Sequence, residues 1–412
     1  MGQKTDPISK KTKRSINIYP FFASFTGDLI FFVPIDTLFL TLVKGLNASQ
    51  ITAMTMVSLI VCILSQKLIL LIVKKIGNVN SLRLGVMTLI VASLLLTFGK
   101  SLVSMMLYKC IFEIASIFLN MDEIILKSNL NTVGRTDDYP KIRNRAKIMY
   151  SLLTLFAAFI AGQLFNLNHY LPMYLNIIIC VILFAVSWLY YEAQTPTTQI
   201  PDQTAQPHTK KSKLTWLIFL VLLSNTVFYS IIKMGQNNSK LFMQYDFQAF
   251  LSVEMLTYYI TTIVVISRIA RLLGNIIFGK LYLKIKDKMS IVLTICLSMA
   301  FALLITGHFV NLPFIYKVII MSLGFFLILA TRDSFQLYIE DVALSITNKE
   351  EYRKIIIDIE MTRRLGTLIL SGIFTLILIN HDLIVIEFIL LGLSIVEIFI
   401  NCKLCSKLKK LQ

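Results

Sequence analysis

The chain has 412 residues, of which 56% are hydrophobic and only 15% charged, and its mean hydropathy is +0.74. Soluble globular chains carry about 25% charged residues, so this composition excludes one. The formal charge of +17 raises nucleic acid as a partner, but the placement of the basic residues excludes that as well.

Twelve apolar segments follow one another at 16–43, 50–73, 82–99, 103–126, 147–166, 172–191, 214–234, 250–279, 289–308, 312–331, 364–380 and 383–402. Each approaches the ~20 residues that cross a hydrocarbon core of ~30 Å. Each is apolar on every helical face, as a helix buried in lipid must be. The expected fold is therefore all-α: a polytopic membrane protein of two pseudo-symmetric six-helix bundles, with 12 transmembrane helices.

Basic residues mark alternate connections. Lys10, Lys11, Lys13 and Arg14 precede the first span, Lys74, Lys75 and Arg83 follow the second, and Arg143, Arg145 and Lys147 follow the fourth. Lys210, Lys211 and Lys213 follow the sixth, Lys284, Lys286 and Lys288 the eighth, and Arg353, Lys354, Arg363 and Arg364 the tenth. The positive-inside rule then puts both termini in the cytoplasm of a multi-pass protein of the cell membrane. The first span is longer than a signal h-region of ~7–15 residues and has no A-x-A-like end, so it is expected to stay in the membrane. Cys62, Cys110, Cys180 and Cys296 lie in spans, and Cys402 and Cys405 form a lone CxxC without a second pair. Neither a cofactor nor a metal is expected.

The expected organisation is a cytoplasmic tail at 1–15, a bundle at 16–191, a cytoplasmic linker at 192–213, a second bundle at 214–402 and a tail at 403–412. The linker carries Pro196, Pro201 and Pro207 and lacks apolar periodicity. A shift of 213 lays Asp137-Asp138-Tyr139-Pro140-Lys141-Ile142 on Glu350-Glu351-Tyr352-Arg353-Lys354-Ile355. The register runs on without a gap, pairing Leu152 with Leu365, Thr154 with Thr367, Leu155 with Leu368 and Ile160 with Ile373. Parallel six-span repeats are a recurrent plan of secondary transporters.

Six plus six spans, both ends inside and a central cytoplasmic loop resemble the major facilitator superfamily over the whole chain. Of that family's signature after the second span, Leu70 to Asn78 keeps Gly77 and Lys75, with Lys74 where the acid stands. The second copy keeps Gly279 and Lys284 and again lacks the acid. The fifth span has Gly162 but no Gly-Pro pair, so the drug/proton antiporter signature is missing. The stretch from Gly27 to Asp36, with Lys44 to Gln50 after it, is similar to an uncharacterised branch of bacterial facilitators. The resemblance implies that spans one, four, seven and ten line a central cavity, that two bundles rock about it, and that the twelfth span, with Glu387 and Glu397, is peripheral.

Charges at membrane depth cost at least ~2.5–3.5 kcal/mol each and mark pathways. Asp28 lies mid-span, with Asp36 eight residues on, and Pro20, Gly27 and Pro34 can kink the helix around them. Asp28 is the leading proton-coupling candidate, with a structural hydrogen bond as the alternative. Lys109 and Glu113 form an i,i+4 pair, either an occupancy-sensing charge switch or a static bridge. Asp122 and Glu123 stand at the cytoplasmic end as gate residues. Asn225 in the seventh span is a neutral cavity hydrogen-bonder. Arg268, mid-span in the eighth, needs a carboxylate or an anionic substrate group. Arg271, Arg332 and Asp333 complete the expected gate.

The chain has no Walker motif, no HExxH and no nucleophile elbow, so no enzyme is expected. The reading is a secondary transporter working by alternating access on a small organic solute, coupled to protons or another ion, embedded in the bilayer and monomeric. A lipid or glycolipid flippase on the same fold and a non-transporting membrane sensor remain as alternatives.

Overall fold

The structure is a computed structural model that describes residues 7–193, 211–285, 288–347 and 352–409. Most of the expected linker, Lys210, Lys286, Glu350, Glu351 and the last tail residues lie outside the described residues.

All regular structure among the described residues is helical. Among the described residues ten helices are long and apolar enough to cross a membrane, and the first and sixth spans contribute the shorter apolar helices Val33–Val43 and Leu171–Ser187. Large side chains such as Leu64 (73% exposed) and Leu167 (78% exposed) point outward. That exposure would be costly in water and is ordinary against lipid tails. Lipid offers no hydrogen-bond partners, so hydroxyls in the spans bond back to their own helix. Thr88 donates to the Leu84 carbonyl, Ser93 to Leu89 and Thr261 to Thr257.

The chain forms two compact units. One holds Met1–Leu46 and Val57–Thr204, and the other Asn47–Met56 and Ala205–Gln412. The first unit contains α1 (Pro7–Thr26), the single turn α2 (Asp36–Leu38), most of α3 (Ala48–Ile76), α4 (Asn78–Phe98), α5 (Leu102–Leu119), α6 (Met121–Thr132), α7 (Tyr139–Leu167) and α8 (Leu171–Ser187). The second contains α9 (Lys211–Gln248), α10 (Val253–Ile285), α11 (Met289–Phe309), α12 (Phe314–Ile346), α13 (Tyr352–Asn380) and α14 (Leu383–Leu408).

The packing repeats. In the first unit α1 packs on α7 and α8, and α4 on α5 and α8. In the second, α9 packs on α13 and α14, and α11 on α12 and α14. Cys62, Ile69 and Val73 of α3 form a core cluster with Ile117, Phe118 and Met121, as α10 packs on α12. The 213-residue shift carries Tyr139 to Tyr352 and Leu167 to Asn380, the two ends of α7 and α13. The matched pairs share their environment: Thr154 and Thr367 are buried, and Leu152, Leu365, Ile160 and Ile373 are exposed.

Three expectations need correction. The first span is not one helix over 16–43: it starts at Pro7, stops at Thr26 and resumes with a 3-10 turn at Val33–Ile35. The eleventh helix begins at Tyr352 rather than 364, and the tenth runs on to Ile346, so Arg332, Asp333, Arg363 and Arg364 all lie within helices. Glu387 and Glu397 are not peripheral, since both are wholly buried.

Candidate functional site

The break in the first span exposes the chemistry of the first unit. Residues 27–32 carry no regular helix, and Asp28 stands in that gap. Gly27 is a weak helix former, and Pro34 cannot donate the hydrogen bond to the Ile30 carbonyl that would continue a helix through the preceding turn. Part of the freed backbone is taken up by neighbours. The Phe31 amide donates to Asn176 Oδ1 of α8 at 3.2 Å, and Phe32 and Val33 amides bond to the Leu29 carbonyl. Beyond Asp36 the chain completes the span with a π-helical turn, Phe39–Val43. Irregular backbone at membrane depth is tolerated where it is buried in protein or lines a cavity.

A cavity of about 250 Å³ lies beside the break, lined by Tyr19, Ala23, Gly27, Arg143, Lys147 and Tyr150. The Tyr150 hydroxyl of α7 donates to Asp28 Oδ2. Gly27 and the alanines leave the room, since a Cβ at Gly27 would lie 3.4 Å from the Tyr150 ring. Arg143 pairs with Glu123 at 3.4 Å, and Glu123 also accepts from the Tyr139 hydroxyl. Asp122 is buried beside it, whereas Lys147 makes no ion pair among the described residues.

The sequence also passed over Tyr108 of α5, which is buried next to Lys109 in the chain. A tyrosine in a greasy span reads as packing, so nothing local flagged it. Lys109 and Glu113 form the expected pair at 3.6 Å, both half-buried. Asp36 accepts from the Thr37 amide at 2.7 Å.

In the second unit the expected gate residues meet. Arg271 of α10 grips Asp333 of α12 with two bonds, Nε to Oδ2 at 2.6 Å and Nη2 to Oδ1 at 2.8 Å, and Asn275 adds a third at 3.2 Å. Gly274 permits this approach, because a Cβ there would fall 2.7 Å from the Ala330 Cβ. Arg332 donates to Gln236 at 3.1 Å. Arg268, one turn away from Arg271, is half-buried and makes no hydrogen bond or ion pair among the described residues. Asn225 is buried with both ends of its amide engaged: Nδ2 donates to the Ile359 carbonyl at 3.1 Å, and Oδ1 accepts from Arg363 Nε at 2.9 Å. Arg363 is itself buried and reaches Glu340 at 3.4 Å. At the far end of α9, Asp246 binds Lys317 at 2.8 Å and His308 at 3.0 Å.

The structure thus joins Lys109 to Glu113, Arg271 to Asp333 and Asp28 to Tyr150. It joins Asn225 to Arg363 and gives Arg268 no partner among the described residues. Among the described residues no group of three or more His, Cys, Asp and Glu could hold a metal ion.

No protein-family model matches the sequence, and no curated protein matches it either. Solved structures do match, over nearly the whole chain. A variant of the nucleoside transporter NupG superposes with a TM-score of 0.72 at 14% identity, covering 94% of this chain and 99% of that one. A bacterial homologue of the iron transporter ferroportin, in an inward-facing state, gives 0.67 at 13% identity, covering 96% and 99%. A bacterial homologue of the human lysosomal transporter Spinster gives 0.61 at 11% identity, covering 98% and 96%. Identities this low report shared architecture and nothing finer. This chain is a multi-pass membrane protein with the fold of the major facilitator superfamily.

Proposed function

We propose that this protein is a secondary active transporter that carries a small organic solute by alternating access, coupled to protons. The observation that carries this reading is the break in the first span, which sets the Asp28 carboxyl, mid-span in the sequence, beside a cavity. Discontinuous helices recur where transporters bind solute and coupling ions. Asp28 is the proton carrier, and Tyr150 suits it because a phenol can donate to a carboxylate or accept from a carboxylic acid. Glu113 and Lys109 sense occupancy through their shared charge. Asp36 completes the acidic lining in the first unit, and Asn225 is a polar position of the second unit.

Arg268 anchors an anionic group of the solute, because an always-charged guanidinium without a protein partner is matched by a ligand carboxylate or phosphate. Asp122 and Glu123 in the first unit, and Arg271, Arg332 and Asp333 in the second, act as gates whose bonds exchange during the cycle. The alternation of basic connections puts both termini in the cytoplasm of a plasma-membrane protein, which works as a monomer.

The test is flux in liposomes containing only this protein, with an imposed pH gradient and a panel of small organic acids, nucleosides and amino acids. Accumulation of at least one solute, driven by the gradient in wild type and lost in Asp28→Asn while exchange of that solute persists, is the expected result. Absence of flux for every solute, or gradient-driven accumulation untouched by Asp28→Asn, overturns the assignment.

A further inference from the structure

Two acids in the second unit serve no ion pair. Glu397 of α14 is wholly buried. Its Oε1 accepts from Ser224 of α9 at 2.6 Å and from Asn401 Nδ2 at 2.7 Å, and Asn401 reaches Thr294 of α11 at 3.1 Å. Its Oε2 is buried with no hydrogen-bond partner. Glu387, ten residues earlier and so about 15 Å along the helix, repeats the arrangement: Oε2 accepts from Ser239 at 3.1 Å, and Oε1 is buried without a partner. The groups that donate to these carboxyls are Ser224, Asn401 and Ser239, all neutral.

The first unit shows that the packing does not ask for acids here. A shift of 214, one more than the register of the preceding helices, lays the buried row of α8 on the buried row of α14. Asn176 falls on Leu390, Cys180 on Ser394 and Ser187 on Asn401, and all six are buried. Met173 falls on Glu387 and Leu183 on Glu397, again buried in both helices. Methionine and leucine fill these places in one repeat. Carboxyls in the other are therefore surplus to the fold, and an ionised buried carboxylate without a cation costs several kcal/mol. A group so placed takes up a proton instead.

We propose that Glu397 and Glu387, about 15 Å apart along α14, are two proton-binding sites inside the second unit, separate from Asp28, and that each carboxyl carries an exchangeable proton. The free oxygen of each carboxyl holds the proton while the other accepts from the serine. The inference concerns proton binding alone and stands whether or not the solute-carrier reading does.

Infrared spectra of the purified full-length protein test it. The expected result is a carboxylic-acid carbonyl band at neutral pH, reduced in Glu397→Gln and again in Glu387→Gln, that shifts in D2O while the protein stays folded. Should a Gln variant fail to fold, Glu397→Leu and Glu387→Met install the first unit's residues at the same places and serve for the same comparison. The exchange measurement on wild type needs no variant. A band untouched by both substitutions overturns the proposal, as does one that shifts in D2O only after denaturation. Thermal stabilisation by sodium chloride over potassium chloride, lost in both variants and without any acid band, would assign a bound sodium ion and overturn it equally.

Discussion

The opening helix of each unit occupies the same place and meets its neighbours by opposite means. In the first unit α1 stops at Thr26 and the chain crosses Gly27–Phe32 without regular helix. In the second, α9 runs unbroken for 38 residues. The partner on the fifth helix of each unit is the same position, since Tyr150 of α7 and Arg363 of α13 stand 213 residues apart in the shared register. Tyr150 holds a carboxyl, Asp28, with a neutral hydroxyl. Arg363 holds a neutral amide, Asn225, with a fixed cation. The first contact tolerates a change of charge at Asp28, because a phenol both donates and accepts. The second is locked, because a guanidinium only donates and never loses its proton. On the proposed reading, one repeat carries a carboxyl in a break and the other a rigid strut.

If that division holds, substitutions at the break should strike transport and spare stability. Asp28→Asn should lower pH-gradient-driven uptake about a hundredfold, as loss of a proton-transferring group does elsewhere. Its unfolding midpoint in detergent should stay near that of wild type. Tyr150→Phe removes one hydrogen bond and should weaken uptake about tenfold, equivalent to ~1.4 kcal/mol. A large loss of thermal stability in either variant would make the break a structural joint instead.

Substitutions at the strut should do the reverse. Asn225→Leu takes one hydrogen bond from the buried Arg363 guanidinium, which keeps Glu340, and should cost about 2 kcal/mol of unfolding free energy. Pairing it with Arg363→Met should recover much of that loss, because removing both members of a buried polar pair is cheaper than orphaning one. Equilibrium unfolding of the two single variants and the double variant measures the coupling. If the double variant is no more stable than the sum of the singles allows, the contact does not brace the unit.

Much of the architecture was legible because lipid leaves its mark along the sequence. A span must be long and apolar on all faces, and the acidic-acidic-Tyr motif located a repeat whose two copies, α7 and α13, share both end points. The kink-forming Gly27 and Pro34 were visible, but not that the helix would stop outright. Helix periodicity paired Lys109 with Glu113, since both lie on one element. It said nothing of Arg363, which looked like one more basic residue of a cytoplasmic connection and is buried against α9. It also hid Tyr108, Glu387 and Glu397, because which face of a greasy helix meets its own bundle depends on neighbours distant in sequence. The peripheral place given to Glu387 and Glu397 came from the family likeness, and it failed because position in a bundle does not fix which way a side chain turns.

The smallest expected effect lies at the other end of the first span. Where α9 is tied at its far end through Asp246 to Lys317 and His308, the first unit ties its opening span to backbone. The Lys44 ammonium donates to the Thr97 and Gly99 carbonyls, both at 2.8 Å, at the carbonyl end of α4. A cation there gains about 0.5 kcal/mol from the helix end, which the burial of the ammonium offsets, so Lys44→Met should change stability by no more than about that much at neutral pH. Burial, and then the charge of Lys100, bring the Lys44 amine down from 10.5 to about 8. Between those values the unfolded chain keeps a proton that the folded chain has released, so wild type should gain stability as pH rises through the interval. Lys44→Met lacks that gain, and the gap between the two proteins should widen in favour of wild type from pH 7 toward pH 10. A gap that stays flat across that range would mean that Lys44 is fully hydrated, and that the first span is anchored by its break alone.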